Sequence, residues 1–263
     1  MIDFPCGNCF ACRINKVRDW TTRLLIEAQG SVYSYFVTIT YDDLNVPLKF
    51  VADPDGFLEQ VVMTLDKDHI QKFHKRLRRA GYVFRYYLIG EYGTHTFRPH
   101  YHAIYFSQKP LSPDQLMFIW GKGNVRFDAV NAASIGYVCR YHLGSDNKIS
   151  AAVQKPFSLM SRRPGLGYGY LFDNEVREWH KSDLDNRQYM IIDGKKRYLP
   201  SYLKKKMYHS FGLQMHANKL RLQNEQKDRQ LIEEGLYEKK LKKIHNYVIS
   251  KELERKLNTK NKL

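Results

Sequence analysis

Cysteine is scarce in this 263-residue chain: there are four, three of them crowded together as Cys6, Cys9 and Cys12. That count excludes a disulfide-stapled scaffold, and reduced thiols are the expectation. Long apolar runs are also missing. No stretch approaches the roughly 20 residues that a membrane span requires. The opening MIDFPCGNCF lacks the basic and apolar regions of a secretory signal, so a cytosolic protein is expected. No internal repeat or long Gly/Ser linker divides the chain. One large domain, or one domain plus an extension, fits its length.

Acidic residues are the other deficit. Against 43 Lys and Arg stand 27 Asp and Glu, a net charge of +16 that points to a polyanionic partner. The excess is uneven: 16 basic and 7 acidic residues follow position 200, so more than half of it sits in the last quarter. Charge alone does not separate RNA, DNA and anionic lipid. The 19 tyrosines and 14 phenylalanines add capacity for base stacking, although most aromatics in any domain are core.

Hydrophobic spacing sketches the elements. Residues 10–29 place Phe10, Ile14, Val17, Leu24, Leu25 and Ala28 at helical intervals. YFVTITY at 35–41 is β-branched and aromatic, as a strand requires. DKDHIQKFHKRLRRAG at 66–81 predicts a helix capped by Asp66, stopped by Gly81 and buried along Ile70, Phe73 and Leu77. Its other faces carry Lys72, Lys75, Arg76, Arg78 and Arg79, either a phosphate track or a wet surface. YVFRYYLIGEYG (82–93) and HYHAIYF (100–106) read as strands joined by a short loop, hence antiparallel neighbours. Residues 113–120 suggest a short helix, GKGNVRFDAV a strand, and NAASIGYVCRYHL (131–143) a helix. Residues 150–200 read as mostly irregular. From about 213 the pattern is helical and charged, with Tyr237, Leu241, Ile244 and Val248 on one stripe. The expected fold class is α+β: an antiparallel sheet with helices packed on it, then a basic helical extension.

Side chains alternate along a strand, so His100 and His102 share a face about 7 Å apart, while Tyr101, Ala103 and Tyr105 face the other way. Two imidazoles at that spacing can converge on one metal ion. Glu91, at the end of the preceding strand, is the natural third ligand. Two nitrogens and a carboxylate, with water and a phosphate in open positions, suit Mg²⁺ or Mn²⁺. A hydrolase or an iron oxygenase could use the same set, and two half-buried structural histidines would look alike.

Tyr137 and Tyr141 stand four apart in GYVCRYHL, stacked on one helical face. A phenol has a pKa of about 10 and needs deprotonation or cationic help to attack. Beside a metal that neutralises phosphoryl charge, the pair could form phosphotyrosine bonds in turn. The plainer reading is packing.

In this order FVTITYDD, GEYG…RPHYHAIYF, YVCRY and MSRRPGLG resemble the replication initiator proteins of microviruses, especially the gokushovirus group. Those belong to the superfamily of two-histidine (HUH) rolling-circle endonucleases. The similarity runs from PCGNCFACR through FHKRLRRAG to KRYLPSYLKK near 206, roughly three-quarters of the chain. The resemblance implies a sheet of about five antiparallel strands flanked by helices, with residues 1–206 as the nicking domain and 207–263 as the extension. It implies site-specific nicking and joining of single-stranded origin DNA through a 5′-phosphotyrosine, starting rolling-circle replication of a circular viral genome in the host bacterial cytoplasm. Host replication helicase and polymerase would be further partners, with no membrane involved. His100, His102 and Glu91 match the metal ligands, and Tyr137 and Tyr141 the paired nucleophiles. One departure is material: a lysine often follows the second tyrosine by three residues, and here that position is Gly144. Arg140 and Lys148 are nearby cations at other spacings.

Arg98 beside the histidines and Arg162 and Arg163 in SRRPGLGYGY are candidate contacts to a DNA backbone. A structural zinc at Cys6, Cys9 and Cys12 would need a fourth ligand, Cys139 or a histidine. Reduced thiols are the commoner explanation. Two competitors to nicking remain: a non-catalytic basic nucleic-acid-binding protein, and a related HUH transposase or relaxase.

Overall fold

The computed structural model describes residues 6–52, 59–143 and 153–260. A 20-residue helix, α1 (Phe10–Gln29), leads into β1 (Tyr33–Thr40) and a hairpin of β2 (Leu48–Ala52) and β3 (Glu59–Met63). Then come α2 (Lys67–Arg79), β4 (Arg85–Tyr92), β5 (Pro99–Ser107), α3 (Pro113–Trp120), β6 (Val125–Ala129) and α4 (Ala132–Cys139). A 3₁₀ turn at Arg140–Leu143 follows α4, and β7 (Phe157–Met160) returns to the sheet. The remaining elements are α5 (Asn174–Lys181), the hairpin β8 (Tyr189–Ile192) and β9 (Lys195–Tyr198), α6 (Ser201–Met207), α7 (Ser210–Glu233) and α8 (Tyr237–Lys260).

The central sheet has five antiparallel strands in the order β6-β1-β5-β4-β7. An α+β fold with a five-stranded antiparallel sheet flanked by helices is therefore what the chain forms. Each sheet face covers its own core. Tyr101, Ala103 and Tyr105 of β5 point to one side, where Ile70, Phe73 and Leu77 of α2 and Leu116 and Trp120 of α3 meet them. Ile104 and Phe106 point to the other, against Leu24 and Leu25 of α1 and Ile135 and Val138 of α4. Strict alternation in HYHAIYF makes this division possible.

The caps behave as their chemistry requires. The Asp66 carboxylate accepts from the backbone N–H groups of Asp68 and His69, and α2 ends before Gly81 at φ +88. Two regions differ from the sequence reading. Residues 131–143 are one α-helix only as far as Cys139, then tighten into the 3₁₀ turn that carries Tyr141. Residues 150–200, expected to be mostly irregular, hold β7, α5 and the β8–β9 hairpin. These are four- to eight-residue elements, too short to display a period.

The basic C-terminal segment is helical, as expected, but the Tyr237–Val248 stripe is not a buried face: Leu241 and Ile244 are 41% and 50% exposed. An ion pair joins Lys240 to Asp228 of α7, and Arg18 of α1 donates to the Tyr247 hydroxyl at 2.7 Å. No helix among the described residues is long and apolar enough to cross a membrane.

One buried histidine in the first core makes stability sensitive to acid. His74 Nε2 lies 2.7 Å from the Tyr105 hydroxyl, and burial pushes its imidazole down to about 3. The unfolded chain takes up that proton below about 6.5, whereas the native state resists it. Stability is therefore full above 6.5 and is lost as pH falls toward 3, by on the order of 3 kcal/mol at pH 4. Urea midpoints of the wild-type protein should drop faster between pH 6.5 and 4 than those of His74→Gln. Equal slopes would refute this origin.

Candidate active site

The histidine face of β5 is the face that α1 and α4 cover. Register sets the neighbours: Glu91 of β4 lies opposite His100, and Thr40 and Thr38 of β1 lie opposite His100 and His102. The loop joining β4 to β5 is short enough to keep that pairing, and Phe97 takes φ +51 within it.

The three candidate ligands converge. Glu91 Oε1 is 3.3 Å from His100 Nε2 and 3.5 Å from His102 Nε2, and all three groups are half-buried. The outer ring nitrogens are held as well. His100 Nδ1 faces the Arg98 carbonyl at 3.1 Å, and His102 Nδ1 faces the Thr38 hydroxyl at 3.0 Å. A carbonyl only accepts, so His100 Nδ1 carries the hydrogen and donates it. Nε2 of the neutral ring then turns a lone pair toward an anionic oxygen. Such an arrangement calls for a positive charge between them, a ring proton or a metal cation. Neighbouring ligands on bonds of about 2.1 Å stand roughly 3.0–3.4 Å apart in octahedral or tetrahedral shells, close to the spacing here. Glu91, His100 and His102 thus form a group that can hold a divalent metal. Thr38 and the Arg98 carbonyl orient the rings in the manner of outer-shell partners.

The tyrosines come from the end of α4. Asn131 caps that helix through a reciprocal box with Ser134, and Ile135 and Val138 anchor it in the core. Tyr137 is thereby aimed at the ligand group: its hydroxyl donates to Glu91 Oε1 in a short hydrogen bond, and its ring meets His102 edge-on with centroids 5.0 Å apart. Phe36 supports the arrangement, stacking on His102 at 5.3 Å. Tyr141, one turn on, donates instead to the Pro156 carbonyl at 2.9 Å, and burial raises its phenol above the ordinary value. Since Gly90 pairs with Phe157, Pro156 lies beside Glu91, and the two hydroxyls end over neighbouring strands. His142 fixes the turn between them, bonding the Tyr87 hydroxyl at 2.9 Å and stacking on Trp20.

The candidate DNA contacts are scattered. The Arg98 guanidinium pairs with Asp43 at 2.7 Å and donates to the Tyr41 carbonyl. Arg140 is exposed at the C-cap of α4, next to Tyr141. Lys148 and Gly144 lie outside the described residues. Arg162 and Arg163 are exposed, but Ser161 bonds Tyr86 at the opposite end of β4 from Glu91. Strand rise over the five intervening residues is about 16 Å. Their loop is braced, because Glu27 accepts from both Arg85 and Gly167 N, and Arg23 donates to the Leu166 carbonyl. The basic row of α2 lies across the sheet, with Lys72 paired to Asp68 and Arg76 bound to the Ile119 carbonyl.

Sequence reasoning missed Thr38, Thr40, Asn124 and Arg126, which with His102 line a cleft beside the ligand group. The alternation of VTIT already puts Thr38 and Thr40 on one strand face. Their pairing with the histidine strand is tertiary, so no local signal marks them.

Residues 34–146, which include all five central candidates, match the family model for the ORF2 type of replication-associated protein. The chain is 26% identical over 229 residues to replication-associated protein ORF2 of Spiroplasma virus 4, an alignment covering 77% of this chain and 67% of that protein. It is 30% identical over 156 residues to replication-associated protein VP4 of Bdellovibrio phage phiMH2K, covering 52% and 47%. The chain belongs with the microvirus-type replication-associated proteins. With replication-associated protein ORF4 of Chlamydia phage 1 it shares 26% identity over 233 residues, 76% of this chain and 52% of that one. The chain thus spans about half the length of two of these relatives and two thirds of the third. Among solved structures, hypothetical protein ORF119 from Sulfolobus islandicus rod-shaped virus 1 aligns with 49% of this replication-associated chain and 96% of its own. The TM-score is 0.31 and the identity 19%, too slight a likeness to argue from.

Proposed function

We propose that the chain nicks and rejoins single-stranded origin DNA through a covalent tyrosine linkage, initiating rolling-circle replication of a circular phage genome inside the host bacterium. The observation that carries this reading is the bond from the Tyr137 hydroxyl to the same Glu91 oxygen that both imidazoles approach. A phenol beside a charge-neutralising centre is what attack on a phosphodiester requires.

A Mg²⁺ or Mn²⁺ ion held by Glu91, His100 and His102 would neutralise charge on the phosphoryl oxygens and orient the scissile phosphate. Thr38 and the Arg98 carbonyl keep the two rings turned toward that phosphate. Glu91 holds the phenolic proton of Tyr137, which leaves as the phenolic oxygen bonds to phosphorus. The bond from phosphorus to the 3′-oxygen breaks, and that oxygen takes up a proton to become the free 3′-hydroxyl. The strand's 5′-phosphate remains on Tyr137, its energy conserved for joining. Tyr141 is then the acceptor in a second exchange, once it leaves the Pro156 carbonyl. Residues 1–206 would form this nicking unit, with residues 207–263 adding nucleic-acid affinity through their excess of positive charge.

Incubation with a single-stranded origin oligonucleotide and Mn²⁺ should give a protein–DNA adduct that survives denaturation. Tyr137→Phe combined with Tyr141→Phe should abolish the adduct while leaving salt-dependent DNA binding intact. Cleavage that persists in the double variant with a free 5′-phosphate would make water the nucleophile and overturn the mechanism.

A further inference from the structure

The site above leaves unused the cluster at the other end of α1. CGNCFAC spaces three thiols at i, i+3 and i+6 around the start of that helix. Gly7 turns the chain at φ +75, Cys9 is the N-cap, and Cys12 lies in the first turn. The three sulfurs lie within 4.8 Å of one another. Cys6 and Cys12 are 3.9 Å apart, and the backbone N–H of Cys9 donates to Cys6 Sγ at 3.2 Å. That sulfur separation is far too long for a disulfide. It is close to a tetrahedral edge: zinc–sulfur bonds of about 2.3 Å put neighbouring sulfurs about 3.8 Å apart.

We propose that Cys6, Cys9 and Cys12 bind a zinc ion as thiolates, with water in the fourth position. Cys6 and Cys9 are exposed, so the fourth position faces solvent. Cys139 does not complete the set: it is fully buried in α4, outside the converging group. The N-terminal end of α1 favours the bound thiolates through its partial positive charge, and the Cys9 N–H supports one sulfur as an outer-shell donor. The sequence reading preferred reduced thiols because three ligands fall short of four. The spacing of the sulfurs now favours the ion.

The ion has a structural consequence. Arg13, the residue after Cys12, donates through Nε to the Asn8 carbonyl at 2.7 Å and through its terminal nitrogen to the Leu143 carbonyl at 2.9 Å. A loop locked by zinc therefore braces the end of the 3₁₀ turn that carries Tyr141. The role is positioning, separate from the Glu91–His100–His102 group.

The test uses the full chain, purified without chelator and dialysed, with zinc counted by elemental mass spectrometry. One zinc per chain should remain in the wild type and in His100→Ala/His102→Ala, and should be lost from Cys6→Ser/Cys9→Ser/Cys12→Ser. Since the triple variant could misfold, the wild type carries an independent readout. Cys6, Cys9 and Cys12 should resist iodoacetamide when zinc-loaded and react after chelation, and Co²⁺ loading should give a thiolate-to-metal charge-transfer band. Equal alkylation with and without zinc, or an intact mass two hydrogens light with no metal, would overturn the proposal. Hydrogen exchange across 140–143 should quicken when zinc is removed; unchanged exchange there would overturn the bracing role.

Discussion

Tyr137→Phe should abolish the covalent DNA adduct, whereas Tyr141→Phe should still form it. In the conformation described, Tyr137 reaches the Glu91 carboxylate and stands edge-on to His102, while Tyr141 is tied to the Pro156 carbonyl. Burial raises the Tyr141 phenol further, making its oxyanion harder to form. Tyr137 is thus poised for the first cleavage, and Tyr141 must be released before it acts. Removing a nucleophile outright lowers turnover by factors of about 10⁶ where this has been measured, so Tyr137→Phe should fall below detection. Tyr141→Phe should cleave near the wild-type rate but fail to pass the strand to a second junction. Denaturing gels of a labelled oligonucleotide separate the two steps. Adduct formation by Tyr137→Phe at the wild-type rate would reverse the assignment and make Tyr141 the leading group.

Loss of the ligand group should be nearly as severe, with a different signature. His102→Ala or Glu91→Ala is expected to lower cleavage by about 10²–10⁴-fold, since a metal at phosphate contributes several kcal/mol and each ~1.36 kcal/mol is tenfold. Chelation of the wild-type protein should match them. DNA retention should hardly change, because affinity resides mainly in phosphate contacts spread over a basic chain. Thr38→Val tests the outer shell. It removes the hydroxyl facing His102 Nδ1 and should lower activity by about 10–100-fold. Added Mn²⁺ should recover Thr38→Val, which keeps all three ligands, and should not recover Glu91→Ala. Full activity of Glu91→Ala in chelator would remove metal from the mechanism.

Much of this was legible before the fold. HYHAIYF announced its two faces, because period-2 alternation leaves one solution for a strand whose tyrosines are buried. Asp66 and Gly81 bounded α2 through cap chemistry that is local by nature. Glu91 could be paired with His100 because a short loop constrains hairpin register. Other features were hidden for equally physical reasons. The fifth strand, FSLM, is four residues long and owes its existence to pairing with β4. The 3₁₀ break after Cys139 redirects Tyr141, and no spacing rule distinguishes it from one more helical turn. Arg162 and Arg163 looked like neighbours of the chemistry in a one-dimensional reading; the strand they follow takes them to the far end of β4. Thr38 is separated from His102 by 64 positions, a distance that only sheet assembly closes.

The segment from Gly93 to Arg98 acts as a phase setter. Because odd and even positions of β5 face opposite layers, inserting a single amino acid there would rotate every later side chain by half a turn if the upstream pairing were kept. Both imidazoles would then enter the greasy layer beneath α2, and three aromatic rings would surface beneath α4. A two-residue insertion would preserve the phase and merely lengthen the bend. Natural variation in this connection should accordingly come in even steps.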